Sequence, residues 1–156
     1  MIEELRSVPL MAMHLDVAFD RLQDVGDVTT GRRRIFPVNG GHFEGSRLRG
    51  TVLADGADWV LLRKDGAMVI DVRLVLKTDD AALIAMQYTG LMFGRTTEAQ
   101  AAMRRGERVA YESVYIRTTP RFETTSPSYD WLNRVIAVAN GQLGAKGGVY
   151  HVFEIK

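Results

Sequence analysis

Cysteine is absent from the chain: none of the 156 residues is a cysteine. This absence excludes disulfide bonds, thiol nucleophiles and metal sites built on thiolates. It fits a protein that is kept in a reducing compartment, and we expect a cytoplasmic location.

An excess of charge of one sign is also absent. Lysine and arginine number 20 against 19 acidic residues, which leaves a net charge of +1. No overall field therefore draws the protein to nucleic acid or to a membrane surface. The single basic cluster, Arg32-Arg33-Arg34, is typical of a solvated strand end, since no wider basic stripe accompanies it. We expect no nucleic-acid partner.

Long apolar runs are missing as well. No stretch approaches the ~18 residues of a membrane helix, and Glu3 and Glu4 stand where a signal peptide would carry basic residues. We expect neither a membrane segment nor a leader. A chain of this length with 46% hydrophobic residues suits one core, so we predict a single domain over residues 1–156.

Alternation of apolar and polar residues is what the chain does contain. Residues 11–19 alternate, and turn signals then recur at the spacing of an antiparallel meander, at Asn39-Gly40-Gly41, Asp55-Gly56, Asp65-Gly66 and Thr78-Asp79-Asp80. Five neighbouring strands are expected from about residue 33 to 92, one short helix over 99–105, and three more strands near 109–117, 131–140 and 149–155. The pattern predicts an all-β fold, an antiparallel barrel of about nine strands with one short helix.

The register of the predicted hairpin over residues 57–77 follows from its turn. A type I′ turn at Asp65-Gly66 places Asp58 opposite Arg73 and Trp59 opposite Val72. Trp59 then shares an apolar face with Val72, and we take this face as the interior of the barrel. The same register carried back through a turn at Asp55-Gly56 adds Glu44 and His42 to the interior, provided that no bulge intervenes.

Two further strands contribute to this interior in the same way. A three-residue turn at residues 78–80 adds Ile84, Met86 and Tyr88, whereas a four-residue turn would add Leu83, Ala85 and Gln87. The first buries more apolar surface and is preferred. In the last strand, His151 alternates in phase with Val149, Phe153 and Ile155 and is therefore predicted on the same apolar face.

The segment Arg117-Thr118-Thr119-Pro120-Arg121-Phe122-Glu123-Thr124, followed by Tyr129-Asp130-Trp131-Leu132-Asn133-Arg134, makes the chain recognisable. It resembles uncharacterised protein family 0311, also called domain of unknown function 3237. Further matches, in the same order along the chain, are Asn39-Gly40-Gly41-His42-Phe43-Glu44-Gly45, Leu48-Arg49-Gly50, Gly56-Ala57-Asp58-Trp59, Asp71-Val72-Arg73 and Asp79-Asp80-Ala81. The likeness spans residues 31–155.

The resemblance implies an architecture rather than an activity. Members of the family look like small β-barrels in the style of lipocalin-like (calycin) or allene-oxide-cyclase-like barrels. No settled activity comes with the family. One departure is Ala81, where the family more usually has glycine after the aspartate, and it concerns the tightness of that turn.

Three side chains are the main candidates for chemistry. A carboxyl group such as Glu44 in an apolar cavity has a raised pKa and suits an acid or base, although it could equally pair with an arginine or cap a turn. Arg117 suits a clamp on a carboxylate or enolate oxygen, or a brace for Glu123 or Asp130. Tyr88 could donate a hydrogen bond to a ligand, or merely bury its ring.

The other candidates have stronger structural interpretations. Trp59 lines the predicted interior, and Trp131 and Asn133 either line the barrel mouth or, for the tryptophan, plug one end. His42 and His151 are too few and too irregularly spaced to predict a metal site. Asp58 and Arg73 are expected to form a structural ion pair.

We therefore predict a barrel that binds a small, partly apolar metabolite through Glu44, Tyr88 and Arg117, without a cofactor. An alternative is an isomerase, cyclase or lyase in which Glu44 moves a proton and Arg117 or Tyr88 steadies an oxyanion. A third interpretation is a filled structural barrel whose exterior forms a homo-oligomer.

Overall fold

The computed structural model describes residues 4–156 of the chain. Ten strands account for most of it: β1 Ser7–Val17, β2 Gln23–Val28, β3 Gly31–Glu44, β4 Arg49–Val52, β5 Gly56–Leu62, β6 Met68–Thr78, β7 Leu83–Gly94, β8 Val114–Glu123, β9 Ala137–Leu143 and β10 Gly148–Ile155. One α-helix, α1, spans Thr97–Arg104, and the Thr96 hydroxyl caps it by accepting a hydrogen bond from the Ala99 N–H. Short 3-10 helices cover Phe19–Arg21, Tyr111–Ser113 and Pro127–Arg134.

The strands close into an antiparallel barrel of eight, which confirms the predicted fold class. The order around the barrel is β1-β10-β9-β8-β7-β6-β4-β3, and pairing between β1 and β3 closes the ring. Strand β2 pairs with β3 at the outside of this ring, whereas β5, which follows β4 along the chain, pairs with both β3 and β6. Closure leaves the eight strands of the ring without a free edge.

Strands β4 and β5 do not form the hairpin that Asp55-Gly56 predicted. Both pair with β3 on one side and β6 on the other, so they lie end to end as one interrupted strand. The interruption falls at Leu53–Asp55, where Asp55 has a φ of +76°. Asp55-Gly56 therefore breaks the strand, as predicted, but the predicted reversal of the chain is wrong.

The predicted turn at Asn39-Gly40-Gly41 is also wrong, because β3 runs through it. Gly40 and Gly41 have φ values of +153° and +144°, which β-carbon-bearing residues rarely adopt. A Cβ on Gly41 would lie 2.1 Å from the carbonyl oxygen of His14 on β1. The glycines thus allow β1 to approach closely where β3 changes partner from β5 to β4.

The β5–β6 hairpin forms, but its register differs from the prediction by one residue. Ala57 faces Arg73 and Asp58 faces Val72. The loop has three residues, since the Arg63 N–H donates to the Ala67 carbonyl at 2.9 Å, and of the Asp65-Gly66 pair only Gly66 has a positive φ, at +89°. A slip of one residue exchanges the faces of a strand. Asp58 consequently points inward and Trp59 outward, so the predicted Asp58–Arg73 and Trp59–Val72 pairs were wrong.

The β6–β7 hairpin keeps the predicted faces. Leu74 pairs with Met86 and Val72 with Tyr88, two residues away from the predicted alignment. A shift of two preserves which side chains point inward. Ile84, Met86 and Tyr88 are therefore interior, as predicted, and each is at most 2% exposed.

Three other expectations at the chain ends were wrong. Strand β2 was missed altogether. Residues 131–134 lie in a 3-10 helix, so β9 begins only at Ala137. In β10 the inward set is Tyr150, Val152 and Glu154, all buried, while His151 is exposed.

The barrel interior is a continuous apolar core. Its members come from every strand of the ring, with Met13, Val72, Leu76 and Ile84 fully shielded from solvent. Within the part of the chain that the structure describes, no helix is long and apolar enough to cross a membrane.

Candidate functional site

Asp58 is the polar residue that the β5 register brings into the interior. Its cross-strand partner on β6 is Val72, which is 0% exposed, and Val72 in turn pairs with Tyr88 on β7. Between Asp58 and Leu61 the β5–β6 ladder is interrupted, and the Asp58 carboxylate accepts a hydrogen bond from the Asp71 N–H at 3.2 Å. The carboxylate thus replaces part of the ladder and is fixed at the inner wall.

Burial raises the pKa of the Asp58 carboxyl to about 7. The hydrogen bond from the Asp71 N–H opposes this shift, and the nearby charge of Asp71 adds to it. A carboxyl group in an apolar setting resists ionisation because the charged form loses its hydration. Asp58 can therefore hold or release a proton near neutral pH, which an ordinary aspartate does not do.

Two tyrosines lie beside this carboxyl. The rings of Tyr88 on β7 and Tyr150 on β10 are 5.1 Å apart between centroids and tilted by 56°. Burial raises the pKa of both hydroxyls, and the charge of Asp58 raises each further. Both phenols stay protonated at physiological pH and are available as hydrogen-bond donors. Asp58, Tyr88 and Tyr150 together are called the interior cluster below.

Two glycines make room for Tyr150. A Cβ on Gly141 of β9 would lie 3.0 Å from the Tyr150 ring and 2.4 Å from Ile116, and a Cβ on Gly148 would lie 2.6 Å from the same tyrosine ring. Contacts this short do not occur between real side chains. The small residues on β9 and β10 therefore let the ring turn inward toward Tyr88.

Among residues 4–156, two buried hydroxyls near the cluster have no hydrogen-bond partner of normal geometry. They are Tyr88 Oη and Thr118 Oγ1, and both residues are at most 2% exposed. A weak hydrogen bond between the Tyr88 and Tyr150 hydroxyls contributes to the shifts of both pKa values, but its geometry falls short of a normal hydrogen bond. Buried polar atoms are normally satisfied, so unpaired ones mark a strained or functional position.

On the outer face beside Tyr88, the short ladder between β8 and β9 leaves a gap. These strands share only two register pairs, Arg117 with Asn140 and Thr118 with Ala139. Pro120 follows, and it has no N–H to donate to a neighbour. A cavity of about 310 Å³ lies at this gap, bordered by Tyr88, Pro120 and the exposed Ile136.

The three side chains predicted to form the site do not converge. Tyr88 is inside as predicted, but Glu44 is exposed on the outer face of β3, opposite Arg49. Arg117 also lies on the outer face, where its Nη1 donates to the Ile116 carbonyl at 2.8 Å and its guanidinium lies 4.9 Å from the Tyr115 ring centroid. The joint site of Glu44, Tyr88 and Arg117 is therefore wrong.

Trp59, Trp131 and Asn133 lie apart from the interior cluster. Trp59 is 51% exposed on the outer face of β5. Trp131 packs at the margin of the core under the Arg47 guanidinium, at 3.9 Å. Asn133 binds both backbone groups of Thr124, at 2.9 Å each, and so fastens the 3-10 helix to the end of β8. Asn133 therefore stabilises the backbone at the end of β8.

Sequence reasoning missed Asp58 and Tyr150 as interior residues. For Asp58 a signal existed, since a three-residue loop around Asp65-Gly66 reverses the faces of β5. The histidines lie outside: His14 and His42 stack at 4.6 Å between ring centroids, and His151 is exposed on β10. Across residues 4–156, no three histidine, aspartate or glutamate side chains come together as metal ligands.

Comparison with known proteins places this barrel in a family. A family model described as "Protein of unknown function (DUF3237)" matches residues 6–155. The chain belongs to this family. A UPF0311 protein from Rhodopseudomonas palustris is 35% identical over 138 residues, which cover 86% of this chain and 90% of that protein. The resemblance inferred from the sequence motifs is thus confirmed.

Solved structures share the architecture. The crystal structure of the R. palustris protein, described as of unknown function, matches with a TM-score of 0.90 at 29% identity, covering 99% of this chain and 100% of that one. A β-barrel-like protein from Acinetobacter baumannii matches with a TM-score of 0.86 at 34% identity, covering 100% and 99%. An enzyme from Penicillium herquei has a TM-score of 0.73 at 18% identity, covering 100% and 98%, and shares the fold.

Proposed function

We propose that the barrel binds a small, partly apolar metabolite whose polar group contacts the interior cluster. The observation that carries this proposal is the Tyr88 hydroxyl, which is buried beside the Asp58 carboxyl and, among residues 4–156, has no hydrogen-bond partner of normal geometry. A ligand oxygen or nitrogen would supply the missing partner. Ligand cavities are commonly apolar with a few converging polar groups, which is the composition of this interior.

The gap between β8 and β9 supports a route for such a ligand. Its cavity borders Tyr88, and its volume of about 310 Å³ falls in the range of small-ligand pockets. Ile136, which is 70% exposed, and Val138 flank the opening. An apolar rim of this kind suits the apolar part of the metabolite.

Binding is tested by screening small ketones, carboxylic acids and phenols with amide-resolved NMR. A compound that binds in the proposed way shifts the amides of residues 58, 88, 118 and 150 and loses affinity in Tyr88→Phe. The matched control is Tyr129→Phe, which removes a hydroxyl from a residue outside the cluster that binds Asp80 at 2.9 Å. Compounds that bind while shifting only outer-face amides would contradict the proposal.

Acid–base catalysis of the isomerase, cyclase or lyase type is a second candidate, favoured by the Asp58 pKa of about 7. In this scheme Asp58 takes a proton from a carbon or oxygen of the substrate and returns it at another position. The protonated Tyr88 and Tyr150 hydroxyls donate to the oxygen on which charge develops. This assigns to Asp58 the part that the sequence suggested for Glu44.

Turnover of a compound from the same screen tests the second candidate. The rate is expected to rise with an ionisation near pH 7 and to fall at least about a hundredfold in Asp58→Asn, while binding of the compound persists. If Asp58→Asn retains the wild-type rate and pH profile, the catalytic role of this carboxyl is excluded.

A further inference from the structure

A second concave surface lies on the outside of the barrel, beneath helix α1. It is a groove of about 590 Å³ between the helix, the β5–β6 loop and the end of β7. We call it the arginine groove, after its principal lining residues, Arg63, Leu91, Phe93, Arg95, Gln100 and Arg104. None of these residues belongs to the interior cluster.

The charge of the arginine groove is only partly compensated. Arg63 pairs with Asp65. Arg95 and Arg104 form no ion pair with any carboxylate of residues 4–156, whereas the neighbouring Arg105 pairs with Glu107. Two free guanidinium groups on one groove make it complementary to an anion.

The floor of the groove is partly apolar, with Phe93 and Leu91 among its lining residues. Phe93 stacks on Tyr115 of the neighbouring strand, with ring centroids 4.7 Å apart and planes 17° from parallel. The Arg95 guanidinium lies 5.2 Å from the Tyr115 ring centroid, which orients it by a cation–π contact. Leu91 adds a partly exposed aliphatic wall. A purely inorganic anion would leave this apolar floor uncovered.

The groove is held in shape by Gln100 of the helix. Its side-chain amide donates to the Gly66 carbonyl at 2.8 Å, and its side-chain oxygen accepts from the Gly94 N–H at 2.7 Å. A Cβ on Gly94 would lie 2.3 Å from the Gln100 backbone nitrogen, so only glycine allows the helix to approach this strand. The walls therefore do not depend on a ligand to bring them together.

We propose that the arginine groove binds a small aromatic anion, with Arg95 and Arg104 holding a carboxylate or phosphate and Phe93 contacting the ring. The class of ligand follows from the combination of two unpaired guanidinium groups with an apolar floor that includes the Phe93 ring. This site is separate from the interior cluster and does not require it to bind anything.

The test is an amide-resolved NMR titration of the full chain with 2-naphthoate, a representative aromatic carboxylate. Saturable shifts are expected at Gly66, Gly94 and Gln100. The double variant R95Q/R104Q is expected to weaken binding about tenfold or more. The matched control is Arg73→Gln, since Arg73 is an exposed arginine on β6 outside the groove, and it is expected to keep the wild-type affinity.

Two further probes separate charge from shape. Neutral 2-naphthalenemethanol and inorganic phosphate are each expected to bind at least about tenfold more weakly than 2-naphthoate. Equal binding of either probe, unsaturable shifts, or unchanged affinity in R95Q/R104Q would overturn the proposal. Asp58→Asn is expected to leave naphthoate binding unchanged, and loss of binding in that variant would place the ligand at the interior cluster instead.

Discussion

The inner and outer faces of the barrel wall differ in whether their polar side chains have partners. On the outside, charged side chains meet partners, as Arg49 does with Asp79 at 3.0 Å and Arg134 with Asp130 at 2.6 Å. On the inside, polar groups are few, and the hydroxyls of Tyr88 and Thr118 are unpartnered. Exposed ion pairs add little stability, whereas buried unpaired groups cost it. The interior arrangement therefore costs folding stability, a cost that binding and catalytic sites commonly carry.

The largest expected difference between the faces concerns aromatic side chains. Tyr88→Ala removes a side chain that is 1% exposed, and Trp59→Ala removes one that is 51% exposed. We expect losses in the free energy of unfolding of about 3–5 kcal/mol and of less than ~1 kcal/mol, respectively. Urea denaturation measures both. Equal losses would show that the β5 register places Trp59 inside, as the sequence first indicated.

The next effect is a pH-dependent gain of stability in Asp58→Asn. The folded-state pKa of about 7 lies above the ordinary aspartate value of 3.8, so the neutral carboxyl is favoured in the folded protein. The folding stability that the neutral carboxyl contributes is fully present below pH 3.8 and is lost as pH rises through 7. At pH 8 the variant should be more stable than the wild type by about 2–3 kcal/mol, after allowance for partial exposure.

Denaturation curves between pH 4 and 8 check this expectation. The stability difference should grow across that range and level off above pH 7. Asp27→Asn, which removes a carboxylate whose side chain is 84% exposed, is the control for the loss of a surface charge. A flat profile for Asp58→Asn would mean that the carboxyl is solvated in the folded protein.

A smaller effect is expected from removal of one interior hydroxyl. Tyr88→Phe keeps the ring and deletes a buried oxygen that has no partner, so it should stabilise the fold by about 1 kcal/mol. Tyr129→Phe is the matched control, because that hydroxyl binds Asp80 at 2.9 Å, and its loss should not stabilise. Thermal unfolding distinguishes the two. A destabilised Tyr88→Phe would indicate a hydrogen bond to ordered water.

The smallest expected effect concerns the β6–β7 turn. Ala81 has a φ of +67°, in a region where a β-carbon is unfavourable. Ala81→Gly should therefore stabilise by about 0.5–1 kcal/mol, while Ala82→Gly, at a position without a positive φ, should not. Thermal melts of the two variants provide the measurement, and equal shifts would contradict the turn conformation. The departure of this chain from the usual family motif thus has a physical consequence.

Much of the fold was predictable because a register error of two residues leaves the inward and outward faces of a strand unchanged. The inner faces of β6 and β7 are almost wholly apolar, so a shift of two residues still placed Tyr88 inside. In β10 both faces are partly apolar, with Val149 and Phe153 against Tyr150 and Val152. Periodicity there does not distinguish the faces, and Tyr150 was missed.

The candidate site was less predictable, since it depends on a single loop. Asp65-Gly66 suits both a two-residue turn and a three-residue loop, and the choice exchanges Asp58 with Trp59. Burial of tryptophan is favoured over burial of aspartate by any hydrophobic criterion. In the structure the aspartate is buried and the tryptophan exposed, which is the arrangement with the higher cost in free energy. Residues placed against their hydrophobicity are often functional.

The most direct test of the account is a ¹³C NMR titration of the Asp58 carboxyl, assigned by comparison with Asp58→Asn. The account predicts a midpoint near pH 7, with accompanying changes in the ring signals of Tyr88 and Tyr150. A midpoint near 3.8, the ordinary value for an aspartate, without any response from the tyrosines, would contradict the interior cluster on which the proposed function rests.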